Sequence, residues 1–259
     1  MTIRNIANHL EEIAPLKQAE DFDNVGLLIG DYNTKVTGIL VTLDTLEETI
    51  DEAITKNCNL IVSFHPIIFS GLKKINGNSY VERVVLKAIK NNIAIYATHT
   101  ALDNSKVGVS AKMCEVLGLI NYKILIPKEE TGIGMGMIGN LPEPMQEDDF
   151  LQYSKIIFNS GGVRFSKKIG RTIQKIAVLG GSGSFAISNA IQEKADVYIS
   201  ADFKYHDFFK AEGKILLIDV GHYESEQFTK NLLVEYLTKK FTSFAVILSE
   251  KSTNPIYYL

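Results

Sequence analysis

Apolar positions along the chain follow two alternating rhythms, short unbroken runs and longer stretches in which they recur every three or four residues. The runs read as strands and the spaced stretches as helices. Gly38 to Leu43 predicts a strand, Leu46 to Lys56 a helix, and Asn59 to Ser63 a strand that ends at His65-Pro66. A helix over Tyr80 to Asn91, a strand over Ile93 to Ala97 and a helix over Ser110 to Leu117 follow. Ahead of these, Ile3, Ile6, Ala7, Leu10 and Ile13 share one face of a first helix, capped by Thr2 and ended by Pro15. His9, on its polar side, reads as a solvated position. Runs such as Leu60-Ile61-Val62 have no polar face and suit strands covered on both sides. Regular alternation of strand and helix argues for βαβ units and a mostly parallel sheet.

The pattern changes near Lys123. From Thr131 to Gly139, glycine alternates with apolar residues, which reads as a connecting or edge-strand segment that Pro142 and Pro144 stop. A helix around Asp148 to Asn159 and a Gly161-Gly162 turn complete this middle region. Alternation resumes at Gln174, with strands at Ile176 to Leu179, Asp196 to Ile199, Ile215 to Asp219 and Phe244 to Leu248. Helical stretches separate them: one ends at Ala195, one covers Phe203 to Lys210, and a long one covers Glu224 to Lys240. The second half thus repeats the first in outline. The expected architecture is α/β, with two related lobes facing each other across a metal-binding cleft: residues 1–122, a connecting segment 123–170, and residues 171–259.

With 259 residues, 46% hydrophobic and 22% charged, the chain can build one large core or two smaller ones. A net charge of -3 gives no reason to expect a nucleic-acid partner, which calls for a basic face. Cys58 and Cys114 sit in apolar contexts and read as reduced thiols. The first residues, with Glu11 and Glu12, lack the pattern of a signal peptide. No run reaches the roughly 18 apolar residues of a spanning helix, so a cytoplasmic protein is expected.

The chemistry-bearing residues gather at strand ends, where open α/β sheets bind ligands. His65 follows one strand, His99 and Asp103 another, and His222 and Glu226 a third. Proline biases the residue before it toward extended backbone, which holds His65 on a stiff loop. Asp103 and Glu226 each stand four residues after a histidine; His222 and Glu226, at the start of the long helix, share one helix face, while Asn104 leaves a plain Asx-turn open for Asp103. Imidazole and carboxylate without thiolate suit zinc, manganese, iron, nickel or magnesium, and a joint metal site explains three such strand ends better than packing does. His206, after the strand ending near Ser200, reads either as an acid or base or as a surface histidine. Asp23-Asn24 is turn chemistry, with use beside the site as the lesser reading. Gly180-Gly181-Ser182-Gly183 reads as a tight turn or anion pocket between strand and helix; its match to the dinucleotide fingerprint is loose.

Five motifs, in order, resemble the Ngg-one-interacting-factor-three-like family, whose members are often labelled GTP cyclohydrolase 1 type 2 homologues. They are Asp23-Asn24-Val25-Gly26-Leu27, Ser63-Phe64-His65-Pro66-Ile67-Ile68-Phe69, Thr98-His99-Thr100-Ala101-Leu102-Asp103, Ser200-Ala201-Asp202-Phe203-Lys204-Tyr205-His206 and Gly221-His222-Tyr223-Glu224-Ser225-Glu226. The resemblance implies two α/β lobes, a dinuclear metal centre and a toroidal homohexamer. Matched position by position, it implies His65, Asp103, His222 and Glu226 as metal ligands. Phe64 stands where the family pattern has a histidine, so either His99 or water completes the second position, or one ion binds more weakly. The length matches the family's short form, without the inserted domain.

Two functions compete at this point. One is a hydrolase that uses one or two divalent ions per subunit to activate water, with His206 or His99 moving protons; resemblance points to a nucleotide such as GTP, and a phosphoester is the second substrate class. The other is a metal-binding assembly or regulatory protein without turnover, which the loss of a ligand at Phe64 favours.

Overall fold

The computed structural model describes residues 1–130 and 132–259; Thr131, at the head of the glycine-alternating stretch, lies outside the described residues. The first part of the chain forms α1 (Ile3–Leu10), β1 (Gly26–Ile29), β2 (Gly38–Thr42), α2 (Glu47–Thr55), β3 (Leu60–Ser63), α3 (Tyr80–Lys90), β4 (Ala94–Ala97), α4 (His99–Asp103) and α5 (Val109–Val116). Next come β5 (Ile120–Pro127), β6 (Gly134–Met145), α6 (Glu147–Ile157), β7 (Arg164–Phe165), β8 (Ile173–Ser182), α7 (Ile187–Gln192) and β9 (Val197–Ala201). The chain closes with β10 (Leu216–Asp219), α8 (His222–Glu226), α9 (Thr229–Lys240) and β11 (Ala245–Leu248). The fold is α/β, as the alternation predicts, and it divides into two compact units: Met1–Leu102 with Thr229–Thr253, and Asp103–Phe228 with Asn254–Leu259.

In the first unit the described residues form a sheet of order β1-β4-β3-β2-β11. β4, β3, β2 and β11 run parallel, and β1 closes the edge antiparallel to β4. Every residue of β2, β3 and β4 is buried, which accounts for their uninterrupted apolar letters. Leu40, Ile61 and Ile95 pack on one side against Ile50 and Ala53 of α2 and Val84 and Ala88 of α3. Because β2, β3 and β4 are parallel, their carboxyl ends reach one edge together, and Asp44, His65 and His99 follow there.

The second unit has the order β5-β6-β8-β9-β10-β7, with β8, β9 and β10 parallel at its centre. Successive residues of these strands alternate between two cores. Val178, Ile199 and Ile218 face α5 and α6 residues such as Met113 and Phe150, while Ala177, Tyr198 and Leu217 face Ile187 and Ala190 of α7. The carboxyl ends of β8, β9 and β10 are followed by Gly183, Asp202 and the loop to His222.

Four expectations change. Residues 123–170 are no connector: β5 and β6 pair with each other, and β6 pairs with β8 inside the second sheet. Glycine is what lets β6 lie there. A Cβ at Gly139 would come within 2.8 Å of the Tyr122 Cβ, and one at Gly136 within 3.0 Å of the Val178 carbonyl oxygen. The strand runs through Pro142 and Pro144 by shifting register between Asn140 and Met145. The long C-terminal helix is two helices. Phe228 packs on the second unit's core, whereas α9 and β11 belong to the first unit, with β11 beside β2. His9 is buried, its ring stacked 4.2 Å from that of Tyr236. Periodicity within α1 cannot reveal that α9 covers its polar side.

Gly136 and Gly170 both have left-handed backbone, φ +69° and +75°, but Gly170 faces open space. Gly170→Ala is expected to cost roughly 1 kcal/mol from backbone alone, and Gly136→Ala roughly 3 kcal/mol once its contacts are added. Urea unfolding of both variants checks this; equal losses would mean that close packing of β6 is not what requires glycine.

Candidate functional site

The first unit fixes two imidazoles at its strand ends. His65 is held by its backbone, the N–H donating to the Leu43 carbonyl at 2.9 Å and the carbonyl accepting the Ser63 hydroxyl at 2.9 Å. Its Nδ1 lies 2.8 Å from Oδ1 of Asp44, two residues past β2, and the other oxygen of Asp44 accepts the Thr253 hydroxyl at 2.5 Å. His99 donates its backbone N–H to Phe64 O at 2.9 Å and adopts φ +28°, a conformation seldom kept without function. Its Nδ1 lies 2.7 Å from Asp23 Oδ1, and Asp23 Oδ2 accepts both the N–H and the hydroxyl of Thr100. The two rings sit 5.4 Å apart, and the fully buried ring of Phe64 packs against both, 5.0 Å from His65 and 5.6 Å from His99.

Asp23 has a side chain of 0% exposure. Burial works against its ionisation, yet hydrogen bonds from His99 and Thr100 outweigh this and bring its carboxyl down to about 2.

The second unit fixes a third imidazole. His222 opens α8, with Nδ1 2.7 Å from Asp202 Oδ2 and Nε2 3.2 Å from Glu226 Oε2, one turn on. Asp202 also accepts the Ser182 hydroxyl, and holds φ +58°. Burial disfavours charge on His222, but Asp202 and Glu226 prevail and push its pKa up to about 11; the His222 hydrogen bond in turn brings Asp202 down to about 2. Glu226 is 4% exposed and lies over Gly181, where a Cβ would stand 2.3 Å from Oε1. This notch is what the glycine run provides. Of the two readings of this run, the tight turn is the one its internal contacts match, with β8 continuing to Ser182. Gly181 N–H donates to Ser225, its carbonyl accepts from Ser200, and the Gly183 carbonyl accepts from Tyr198.

One arrangement therefore occurs three times: a hydroxyl donates to an aspartate, and the aspartate holds an imidazole by Nδ1. Thr253, Asp44 and His65 form one, Thr100, Asp23 and His99 the second, and Ser182, Asp202 and His222 the third. Fixing Nδ1 presents Nε2, the orientation that metal-ligating histidines take from an outer carboxylate. The sequence reading placed the histidines but gave Asp44 no role, and the lesser reading of Asp23, use beside the site, is the one the contacts match. A carboxylate just past a parallel strand, beside the strand that ends in histidine, was the available signal. Asp103 closes α4, one turn after His99, and is partly buried. His206 lies elsewhere in kind: it is exposed on a 3-10 helix, edge-on to Tyr205 at 5.1 Å, and no aspartate among the described residues holds its ring.

A family model described as Duf34/NIF3 (NGG1p interacting factor 3) matches residues 1–255. The chain belongs to the Duf34/NIF3 family. A relative from Clostridium acetobutylicum, named GTP cyclohydrolase 1 type 2 homolog, is 33% identical over 231 residues, covering 87% of this chain and 85% of its own. One of the same name from Clostridium perfringens is 32% identical over 265 residues that take in the whole of both chains, so this Duf34/NIF3 protein matches a relative of similar length from end to end. A crystal structure of a Staphylococcus aureus hypothetical protein superposes with a TM-score of 0.94 at 30% identity, covering 100% of this chain and 99% of that one. Among the described residues of this Duf34/NIF3 chain, no helix is long and apolar enough to cross a membrane.

Because Asp23 ionises more readily in the folded protein, its contribution to stability is present above its ordinary pKa near 3.8 and is lost as pH falls through about 2. Asp23→Asn should therefore destabilise the protein at pH 6 and progressively less toward pH 2. Denaturant titrations across that range check it; a pH-independent difference would show that the charge on Asp23 is not what matters.

Proposed function

We propose that this Duf34/NIF3 protein is a metal-dependent hydrolase. On this reading His65, Asp103, His222 and Glu226 are the metal ligands, two imidazoles and two carboxylates of the kind a divalent ion takes. The observation that carries this reading is the repeated fixing of imidazole Nδ1 by aspartate at the strand ends, which makes each ring a pre-oriented donor. The Gly181 notch fits as well, because it leaves the carboxylate of Glu226 room that any larger residue would fill. Oxygen and nitrogen donors without thiolate suit zinc, manganese, iron, nickel or magnesium. A divalent ion held there supplies Lewis-acid polarisation and activates water near neutral pH.

The remaining residues divide the proton work. Asp23 keeps its charge and holds His99 by Nδ1, so Nε2 of His99 is the atom that takes or returns a proton. His206, on an exposed helix, exchanges protons with solvent. The name of the Clostridium relatives, GTP cyclohydrolase 1 type 2 homolog, points to GTP as substrate; hydrolysis of a phosphoester is the alternative within the same chemistry. Asp202 and Glu226 push the His222 pKa up to about 11, so an ion held there would compete with a proton for that imidazole. Assembly into a homohexamer belongs to the same proposal.

Phe64 favours a second reading. Its ring is wholly buried against His65 and His99, at the position where the resemblance implies a histidine ligand. A site with fewer ligands serves a non-catalytic assembly or regulatory protein as well as an enzyme.

Protein purified without chelator should hold one to two metal ions per subunit, and His222→Ala should lose at least one of them. Elemental analysis with a GTP-turnover assay on the same samples decides between the readings. Metal without turnover, after reconstitution with zinc, manganese or iron, would leave the assembly protein; unchanged metal in His222→Ala would remove His222 from the ligand set. Gly181→Ala should lower metal content too, by displacing Glu226.

A further inference from the structure

In two of the three hydroxyl–aspartate–imidazole sets the hydroxyl comes from within the site's own elements: Thr100 follows His99 directly, and Ser182 ends β8. The third hydroxyl is Thr253, which reaches Asp44 across 209 residues of sequence from the tail after β11. Polar contacts hold that tail: the Ser249 hydroxyl donates to Glu52, and the Asn254 amide donates to Glu224 at 2.9 Å. Beyond them Ile256, Tyr257 and Leu259 are exposed, while Thr253 is only 7% accessible. Apolar burial therefore does not explain why the chain lies down at this point.

We propose that Thr253 is a positioning residue for His65, acting through Asp44; the inference rests on His65 being a metal ligand as proposed above. Asp44 offers one oxygen to His65 Nδ1 at 2.8 Å and the other to the Thr253 hydroxyl at 2.5 Å. With both oxygens engaged, the carboxylate cannot rotate about its Cβ–Cγ bond without breaking a hydrogen bond. Asp44 is itself part-exposed, at 31% for its side chain, so water competes for the oxygen that Thr253 occupies. Asp23 needs no such help from the tail, because Thr100, beside His99, supplies both an N–H and a hydroxyl to it. The C-terminal segment thus completes the shell of groups behind His65, and Thr253 is the atom-level reason that it does.

The competing account is that the contact only anchors the tail. Tyr258 provides the discriminating control, because its ring packs over Gly161 and Gly162, which anchors the tail without touching Asp44. The probe is cobalt(II) added to metal-stripped full-length protein, read by its visible absorption spectrum and by competition with a chelator. Thr253→Val, which keeps shape and removes the hydroxyl, should weaken cobalt binding roughly 10- to 100-fold, the usual effect of losing an outer-shell partner, and shift the spectrum. Thr253→Ser should restore both, and Tyr258→Ala should leave both near wild type. Wild-type binding by Thr253→Val, failure of the serine variant to rescue, or an equal loss in Tyr258→Ala would each overturn the inference alone. A wild-type protein that holds no cobalt would overturn the metal reading, and this inference with it.

Discussion

An imidazole has two nitrogens, and a ligand site is set by which of them the protein claims first. At His65, His99 and His222 the claim is made by an aspartate on Nδ1, at 2.7 to 2.8 Å. Everything that surrounds these rings follows from keeping that geometry. The aspartates have to stand just beyond strand ends or in a loop beside them, each needs a further donor to stop it turning, and the backbone has to accept unfavourable angles. His99 and Asp202 both pay that cost with positive φ.

Charge sets the second requirement. Glu226 is almost wholly buried, and a buried carboxylate without a counter-charge is expensive. His222 supplies that counter-charge, its pKa pushed up to about 11 by Asp202 and Glu226. The packing around α8 holds the pair together. Gly181 admits the carboxylate, Ser225 ties α8 to β8, and Ser200 and Tyr198 fix the glycine backbone from below.

Phe64 is part of the core at 0% exposure, and its ring supports His65 and His99 from behind.

The sequence by itself determined the parallel strands of both sheets, most helices and the strand ends that carry His65, His99 and His222. Parallel strands buried on both faces leave unbroken apolar runs, and polar letters directly after them mark the edge where open α/β sheets bind ligands. The five ordered motifs likewise sufficed to identify the family. What the sequence left undecided depended on residues far apart. Asp44 and His65 are 21 positions apart, Asp202 and His222 are 20, and Thr253 is 209 from Asp44. Local periodicity reaches only along one element, so it could not pair β11 with β2, cover His9 with Tyr236, or carry β6 through two prolines into a sheet. Those choices rest on which surfaces meet when the elements pack, and tertiary structure alone decided them.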